Sequence, residues 1–165
     1  MTFDRENFEK AKLLALKFVS TKMRTRQEVI DFLHKKNYNS DVIAETVAFL
    51  LEYRYLDDVA YCRAWIHDKI QFHPCGRKKM AAELNKKVSD RQLVQSALEE
   101  WYSEEQEVEL ALLAAKQKVN NTLGRKPITR EQLARFLFGR GYSSSTIRRA
   151  LQMMQDSETD CEFSM

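Results

Sequence analysis

Residues 129–152 read TREQLARFLFGRGYSSSTIRRALQ, and this stretch predicts a helix, a short turn and a second helix. Thr129 and Gln132 form the pattern of a capping box, in which each side chain accepts a hydrogen bond from the other residue's backbone N–H. Gly141 suits the left-handed backbone that commonly ends a helix. Ser143 is a typical N-cap for the helix that follows.

Two other segments, residues 25–50 and 76–99, repeat this pattern in the same order. The three starts are 51 and 53 residues apart, which is close to the period of helical repeats. In the first helix of each segment, two positions four residues apart are apolar, and a third position near the helix end is basic. The equivalent residues are Val29, Met80 and Leu133; Leu33, Leu84 and Leu137; and Lys36, Lys87 and Arg140.

The middle segment departs from the pattern at its turn. Where the other two segments have Asn37 or Gly141 before a tyrosine, it has no such residue before Val88, so we expect its turn to be one residue shorter. Ser89 is then the predicted N-cap of its second helix, as Asn39 is in the first segment.

A further helix precedes each pair: one spans about Asp4–Thr21, one follows Asp57-Asp58, and one follows Ser103. With only 4 glycines and 2 prolines, the composition also favours helices. We therefore predict an all-α fold of three tandem three-helix repeats in an elongated, curved array. The predicted boundaries are 1–55, 56–102 and 103–155, followed by an acidic, mobile tail at 156–165.

The charge distribution points to a macromolecular partner. The net charge is only +3, but residues 116–149 hold nine basic side chains against one acid, Glu131. A segment this basic is typical of a protein that binds a polyanion or an acidic protein surface. A solvated, solubilising face is the alternative interpretation.

The cysteines favour a reducing, cytoplasmic location, because the 3 thiols have irregular spacing and provide no disulfide framework. The sequence shows no apolar signal core near its start and no long apolar run. A metal site is the alternative role for the cluster Cys62, His67, His73 and Cys75. Its spacing fits no standard zinc finger, so buried cysteines and surface histidines are the favoured interpretation.

The sequence carries no catalytic pattern, and we predict no enzyme activity, cofactor or small-molecule substrate. The glycines form neither a Walker loop nor a dinucleotide fingerprint, and there is no Gly-x-Ser-x-Gly elbow. Asp57-Asp58 is interpreted as helix capping, not as acid catalysis. Tyr55, Tyr61 and Trp65 are expected in the core in preference to a base-stacking platform.

The stretch 55–61, YLDDVAY, resembles a signature of the RecX regulatory proteins, and residues 76–87, 25–36 and 136–143 are similar to further RecX motifs. The sequence departs from those motifs in three places. Arg54 stands where the family has a glycine, the basic stretch before Gly76 is diluted, and the glycine after the lysine that ends 76–87 is missing. The likeness covers roughly residues 8–152.

The resemblance implies tandem three-helix repeats that bind RecA, chiefly its filament on single-stranded DNA, and restrain strand exchange, ATP hydrolysis and coprotease activity. It transfers no catalytic residue. The expected partner is therefore RecA, with single- or double-stranded DNA as a further partner through the basic face, and without a membrane.

Basic side chains near the equivalent repeat positions are the candidate binding residues. If they face one side, they form a ridge that meets phosphates or acidic protein, and such phosphate contacts are salt-sensitive. Reversing Lys78, Lys79 and Arg148 to Glu is expected to weaken binding while preserving helicity. The full candidate set is Lys35, Lys36, Arg77, Lys78, Lys79, Lys86, Lys87, Arg135, Arg140, Arg148 and Arg149.

The alternative function is a double-stranded DNA-binding protein of the helix-turn-helix kind, because the helix, short turn and helix recur. A reader of that kind needs a polar second helix that reaches the bases. Residues 39–50 carry no Arg or Lys and residues 89–99 carry only Arg91, so only the third segment, with Arg148 and Arg149, qualifies.

Overall fold

The computed structural model describes residues 5–122 and 127–162, with side chains described as far as residue 156. This part of the chain contains helices and no strand, which confirms the all-α prediction. The helices are α1 (Arg5–Ser20), α2 (Arg26–Lys35), α3 (Ser40–Glu52), α4 (Asp58–Phe72), α5 (Arg77–Leu84), α6 (Arg91–Trp101), α7 (Glu104–Asn120), α8 (Arg130–Gly139) and α9 (Ser144–Glu162).

The helix starts follow the predicted caps. Thr25, Ser103 and Thr129 each form a complete capping box, with the side chain accepting from the third helical N–H and the Glu or Gln there accepting from the cap. Asp57 accepts from the N–H of Ala60 at 2.9 Å and so caps α4. These bonds satisfy amides that a helix start otherwise leaves unpaired.

The turns confirm two predicted left-handed residues and correct the middle cap. Asn37 has a φ of 62° and Gly141 a φ of 86°. The middle segment was expected to have a turn one residue shorter, and this prediction was wrong. Its second helix is capped by Asp90, whose carboxylate accepts from two N–H groups of α6. Asp90 follows Gly76 by 14 residues, the same separation as that between Thr25 and Asn39. Ser89, the predicted cap, is therefore the residue before the cap, and the helix pair of the middle segment keeps the spacing of the other two pairs.

The chain folds into two compact units. The first unit runs to Ala64 and includes Leu84–Val94, and the second takes Trp65–Glu83 together with the chain from Gln95 onward. The helices of the middle triplet contribute to both units, so the division into repeats 1–55, 56–102 and 103–155 stays a prediction, as does the elongated, curved array.

Each unit has its own apolar core. In the first unit, the ring of Phe18 stacks on Phe32 at 4.2 Å beside the buried side chains Ala11, Ala15, Val29, Leu33, Val42, Ile43, Val47, Leu50 and Leu56. The core of the second unit consists of Val108, Ala111, Ala114, Ala115, Leu133, Leu137, Tyr142, Ile147, Ala150 and Leu151. The positions that the repeat alignment marked as apolar in α2 and α8 all lie in these cores.

Within the first unit, the start of α2 contacts the next triplet through two hydrogen bonds, and we call this contact the first joint. The backbone N–H of Arg26 donates to a carboxylate oxygen of Asp58 at 2.9 Å. The Thr25 hydroxyl donates to the carbonyl of Lys87 at 2.7 Å. Asp58 therefore caps a helix other than its own.

Within the second unit, the start of α5 makes the equivalent contact, which we call the second joint. The backbone N–H of Arg77 donates to Glu107 at 2.8 Å, and the N–H of Gly76 donates to the carbonyl of Arg140 at 2.9 Å. Lys87 and Arg140 occupy the same repeat position, so the two joints meet the same part of the following triplet.

Tyr55 was predicted in the core, and this prediction was wrong: the side chain is 53% exposed, with its ring 6.4 Å from that of Phe49. Tyr61 and Trp65 are half-buried. Arg54, which stands where the resembling motif has a glycine, adopts a φ of 57°. The backbone there needs the left-handed conformation that a glycine adopts most readily.

The end of α9 extends beyond the predicted repeat boundary. Its backbone is helical through Glu162, whereas the sequence predicted a mobile tail from residue 156. The last three positions of that tail, residues 163–165, lie outside the described residues. Among the helices that the structure describes, none has the length and apolar content needed to cross a bilayer.

Candidate functional site

Arg77, predicted as a surface contact, is half-buried and makes a contact within the second unit. Its guanidinium donates to the carbonyl of Tyr102 and lies 5.9 Å from the ring of that tyrosine. The next residues on α5, Lys78 and Lys79, are exposed. At the start of α5, Lys78 and Lys79 are therefore exposed to solvent, whereas Arg77 has a structural role.

One cleft, the α5–α9 cleft, combines three of the predicted cations with two acids. Glu107 is only 5% exposed and also lies 3.4 Å from the Thr146 hydroxyl, while Arg149 is 4.0 Å from Glu104. The opposite charges offset one another, so the net positive potential is low. The cleft has a volume of about 430 Å³ and is lined by Arg77, Lys78, Ala81, Gln95, Glu104, Glu107, Ser143, Ser145, Thr146 and Arg149.

A second cleft, the α4–α7 cleft, is basic and has no acidic lining residue in the described part of the chain. It brings Lys79 and Arg140 together with Lys69, which the sequence analysis had not selected. Lys69 also pairs with Glu83 at 2.6 Å. The volume is about 500 Å³, and the lining consists of Lys69, Ile70, Gln71, Phe72, His73, Pro74, Cys75, Lys79, Leu110, Leu113, Gln117 and Arg140.

The α8–α9 groove is the third surface, with an apolar floor between arginines. It contains the predicted residues Arg135 and Arg148 and adds Arg130 and Phe138, which sequence reasoning missed. Phe138 could have been selected from the sequence, because it lies eight residues after Arg130 and this spacing places both residues on one face of α8. The groove has a volume of about 410 Å³ and is lined by Arg130, Ala134, Arg135, Phe138, Ser144, Ile147, Arg148 and Leu151.

The candidate residues of the first unit are exposed and partly engaged. Lys36 lies 5.9 Å from the ring centre of Phe32, and Lys87 is 3.5 Å from a carboxylate oxygen of Glu28. Lys35 and Lys86 are also exposed. Within the second unit, the predicted ridge is distributed over three separate clefts, because neighbouring residues such as Arg148 and Arg149 point about 100° apart on a helix.

The alternative metal cluster is not assembled in the described part of the chain, where no group of three or more ligating side chains is found. Cys62 and Cys75 are buried in different units. Burial raises the pKa of the Cys62 thiol to about 11, so it stays protonated near neutral pH. His67 is exposed, with Nδ1 3.8 Å from Asp68.

Family models match both ends of the chain. Residues 11–50 match the model described as RecX, first three-helix domain, and residues 104–151 match RecX, third three-helix domain. Together these matches cover just over half of the sequence. The chain belongs to the RecX family. The matched ranges coincide with α1–α3 and α7–α9, so the sequence-level resemblance and the repeated three-helix domains are confirmed.

Curated relatives carry the name Regulatory protein RecX. One from Oceanobacillus iheyensis is 29% identical over 160 residues, which is 96% of this chain and 59% of the relative. One from Bacillus cereus strain B4264 is 31% identical over 157 residues, or 94% of this chain and 57% of the relative. The chain thus spans slightly less than six tenths of these RecX proteins, and its family is a regulatory one.

Solved structures show the same fold. A crystal structure of RecX from Lactobacillus salivarius superposes with a TM-score of 0.84 at 24% identity, covering 92% of this chain and 98% of that one. Another crystal structure of regulatory protein RecX gives a TM-score of 0.79 at 21% identity, covering 88% and 73% respectively.

Proposed function

We propose that this RecX-family chain is a non-enzymatic regulator that binds RecA, chiefly its filament on single-stranded DNA, and inhibits its recombinase, ATPase and coprotease activities. The observation that carries the proposal is the match of both ends of the chain to RecX three-helix domains. The name of the curated relatives, Regulatory protein RecX, supports a regulatory role in place of a catalytic one.

The binding surface that we propose is basic and distributed. Lys78 and Lys79 are exposed neighbours on the first turn of α5, and they line different clefts. A repetitive filament rewards several modest contacts, because each bound cleft raises the effective concentration of the next. Charge-assisted contacts of this kind weaken as salt increases, whether they meet phosphates or carboxylates.

The test measures DNA-dependent ATP hydrolysis by RecA while this protein is titrated in. We expect inhibition at substoichiometric amounts, and a loss of most of that inhibition in the double variant Lys78→Glu and Lys79→Glu. The control variant, Lys116→Glu with Arg63→Glu, has the same change in charge at two exposed positions outside the three clefts. Circular dichroism checks that both variants remain helical.

Binding of the protein alone to duplex DNA at physiological salt distinguishes the helix-turn-helix alternative. Arg148 and Arg149 are both exposed on α9, as that alternative requires of a second helix that reaches the bases. Tight, sequence-selective duplex binding without an effect on RecA contradicts our proposal. Inhibition that survives in the Lys78 and Lys79 variant contradicts the site and leaves the function standing.

A further inference from the structure

The α8–α9 groove has an apolar floor and a raised, exposed apolar wall. Ile147 and Leu151 form the floor and are 7% and 4% exposed, whereas Phe138 stands at the side and is 61% exposed. Exposure of a large aromatic side chain to solvent is unfavourable relative to its burial. A ligand that covers Phe138 and reaches the floor therefore gains from burying both.

Three arginines surround this floor without a countercharge. Arg130, Arg135 and Arg148 are exposed, and none of them forms an ion pair with a carboxylate of the described residues. No acidic residue of the described chain lines the groove. The adjacent Arg149 differs, because it lies 4.0 Å from Glu104 in the α5–α9 cleft. Of the three clefts, this groove has the largest number of cations without an ion pair among the described residues.

The first repeat shows that the fold does not require this combination. In the repeat alignment, the positions of Arg135 and Arg148 correspond to Asp31 and Ala44, and that of Phe138 corresponds to His34. These residues occupy the same positions of a helix pair with equivalent capping positions and the same core pattern. Arg135, Arg148 and Phe138 are therefore additions to the third triplet that its packing does not explain, whereas Arg130 corresponds to Arg26 of the first repeat.

We propose that the α8–α9 groove is a docking site for an acidic amphipathic helix of a protein partner. The apolar side chains of that helix cover Phe138 and the floor, and carboxylates on both its flanks pair with Arg130, Arg135 and Arg148. A groove between two packed helices is a recurrent receptor for such a segment, which places its anchors at every third or fourth residue. Arginine suits carboxylates because its planar guanidinium binds them in a two-pronged geometry.

This inference goes beyond the proposed function, because it assigns a ligand chemistry to one groove whichever protein supplies the helix. The apolar floor favours a peptide over a nucleic acid. A phosphodiester backbone pairs with the arginines but has no apolar side chain to cover Ile147 and Leu151. A base that stacks on Phe138 is the rival arrangement, and the experiment includes it.

The probe is a synthetic helical peptide with leucines along one face and glutamates on both flanks, labelled for fluorescence anisotropy and titrated with the full chain. We expect saturable binding that weakens as salt increases. In the triple variant Arg135→Asp, Phe138→His and Arg148→Ala, which copies the first repeat, the affinity is expected to fall at least about tenfold.

Two matched controls make the outcome decisive. The variant Lys116→Asp with Arg63→Ala has the same net charge change at exposed positions outside the groove and is expected to bind normally. A peptide with glutamines in place of the glutamates is expected to bind at least about tenfold more weakly. If the triple variant loses helicity, the double variant Arg135→Ala and Arg148→Ala replaces it, since both side chains are exposed.

Three results overturn the proposal. One is absence of peptide binding to the native chain. Another is equal binding of the glutamate and glutamine peptides, which indicates adhesion to apolar surface alone. The third is loss of binding to labelled oligothymidine in the groove variant while peptide binding is unchanged, which assigns the groove to nucleic acid. None of these results depends on RecA inhibition, so the proposed function is tested separately.

Discussion

The first and second joints make the same contact by different chemical means. In the first joint the Thr25 side chain reaches the Lys87 carbonyl, whereas in the second the Gly76 backbone itself reaches the Arg140 carbonyl. The chain therefore repeats a contact between successive triplets without repeating the residues that make it. The comparison shows that equivalent positions of a repeat are best matched by their hydrogen-bonding partners.

The two joints differ most in how closely their backbones approach. A Cβ atom on Gly76 would lie 2.1 Å from the carbonyl carbon and oxygen of Gly141 and 2.2 Å from the nitrogen of Tyr142. Those are backbone atoms that no side-chain rotation can move aside. In the first joint, a hydroxyl spans the corresponding distance, so a side chain fits there and is needed.

The largest expected effect comes from Gly76→Ala, which places a methyl group into that backbone contact. We expect the free energy of unfolding to fall by about 3 kcal/mol or more, because overpacking against main chain forces the helices apart. The measurement is urea unfolding followed by circular dichroism. Tyr102 and Tyr142, both buried in the second unit, are expected to become accessible at lower urea concentrations.

Gly139→Ala is the control for this prediction. A Cβ on Gly139 meets nothing within 4 Å, and the residue ends α8 at the surface. Alanine there is expected to change the unfolding free energy by less than about 1 kcal/mol. Equal losses in the two variants would show that the close backbone approach does not stabilise the second joint.

Removal of the carboxylate is expected to destabilise the second joint more than the first. Glu107 is 5% exposed and accepts from the Arg77 N–H, while Asp58 is half-buried and accepts from the Arg26 N–H. Glu107→Ala is expected to lower the unfolding free energy by about 2–3 kcal/mol, because it leaves the partly buried amide of Arg77 unpaired.

Asp58→Ala is expected to lower it by only about 1 kcal/mol, since water reaches the freed amide. Thermal unfolding of both variants measures the difference. A larger loss for Asp58→Ala would mean that burial does not decide the strength of the joints.

Much of the fold was predictable because its signals are local. The capping boxes, the apolar spacing and the left-handed Asn37 and Gly141 each depend on residues within one helix or turn. The Asp90 cap was missed because Ser89 and Asp90 are both good capping residues, so the local preference does not separate them. Burial of Val94 and Leu98 selects Asp90, and burial depends on the tertiary fold.

The candidate surfaces were less predictable because a sequence gives charges without their partners. Arg77 was expected to face a ligand, yet its guanidinium is bound to the Tyr102 carbonyl, a contact 25 residues away in the chain. Lys69 and Arg130 were not selected, because their roles depend on which residues lie beside them. Asp58 was expected to cap a helix, and the tertiary structure decides which helix it caps.

Thr25→Val measures how much a single hydroxyl contributes to the first joint. Thr25 is fully buried, and its hydroxyl both accepts from the Glu28 N–H and donates to the Lys87 carbonyl. We expect a loss of about 1–2 kcal/mol in the free energy of unfolding.

Thr129→Val removes an exposed hydroxyl that only caps its own helix, and the expected loss is about 1 kcal/mol or less. Denaturant unfolding of the two variants, with Thr25→Ser as a variant that keeps the hydroxyl, measures the contribution of the joint. Identical losses for Thr25→Val and Thr129→Val would show that the hydrogen bond from the Thr25 hydroxyl to the Lys87 carbonyl does not stabilise the first joint.

The smallest expected effect is a pH dependence confined to the first joint. Burial raises the pKa of the Asp58 carboxyl above its ordinary value of 3.8, although the hydrogen bond from Arg26 opposes the shift. The folded chain therefore holds this proton more tightly than the unfolded chain does. A raised carboxyl pKa contributes stability at low pH, and that contribution is lost as the pH rises through the folded-state pKa.

Asp58→Asn keeps an oxygen acceptor for the Arg26 N–H but cannot ionise. We expect the native chain to lose stability relative to this variant as the pH rises from about 3 to about 7. Melting temperatures of both proteins across that range provide the measurement, and their difference cancels every titration that the two chains share. Parallel curves would mean that the hydrogen bond from Arg26 fully offsets the burial of the Asp58 carboxyl, so that ionisation of Asp58 would not change the stability of the first joint.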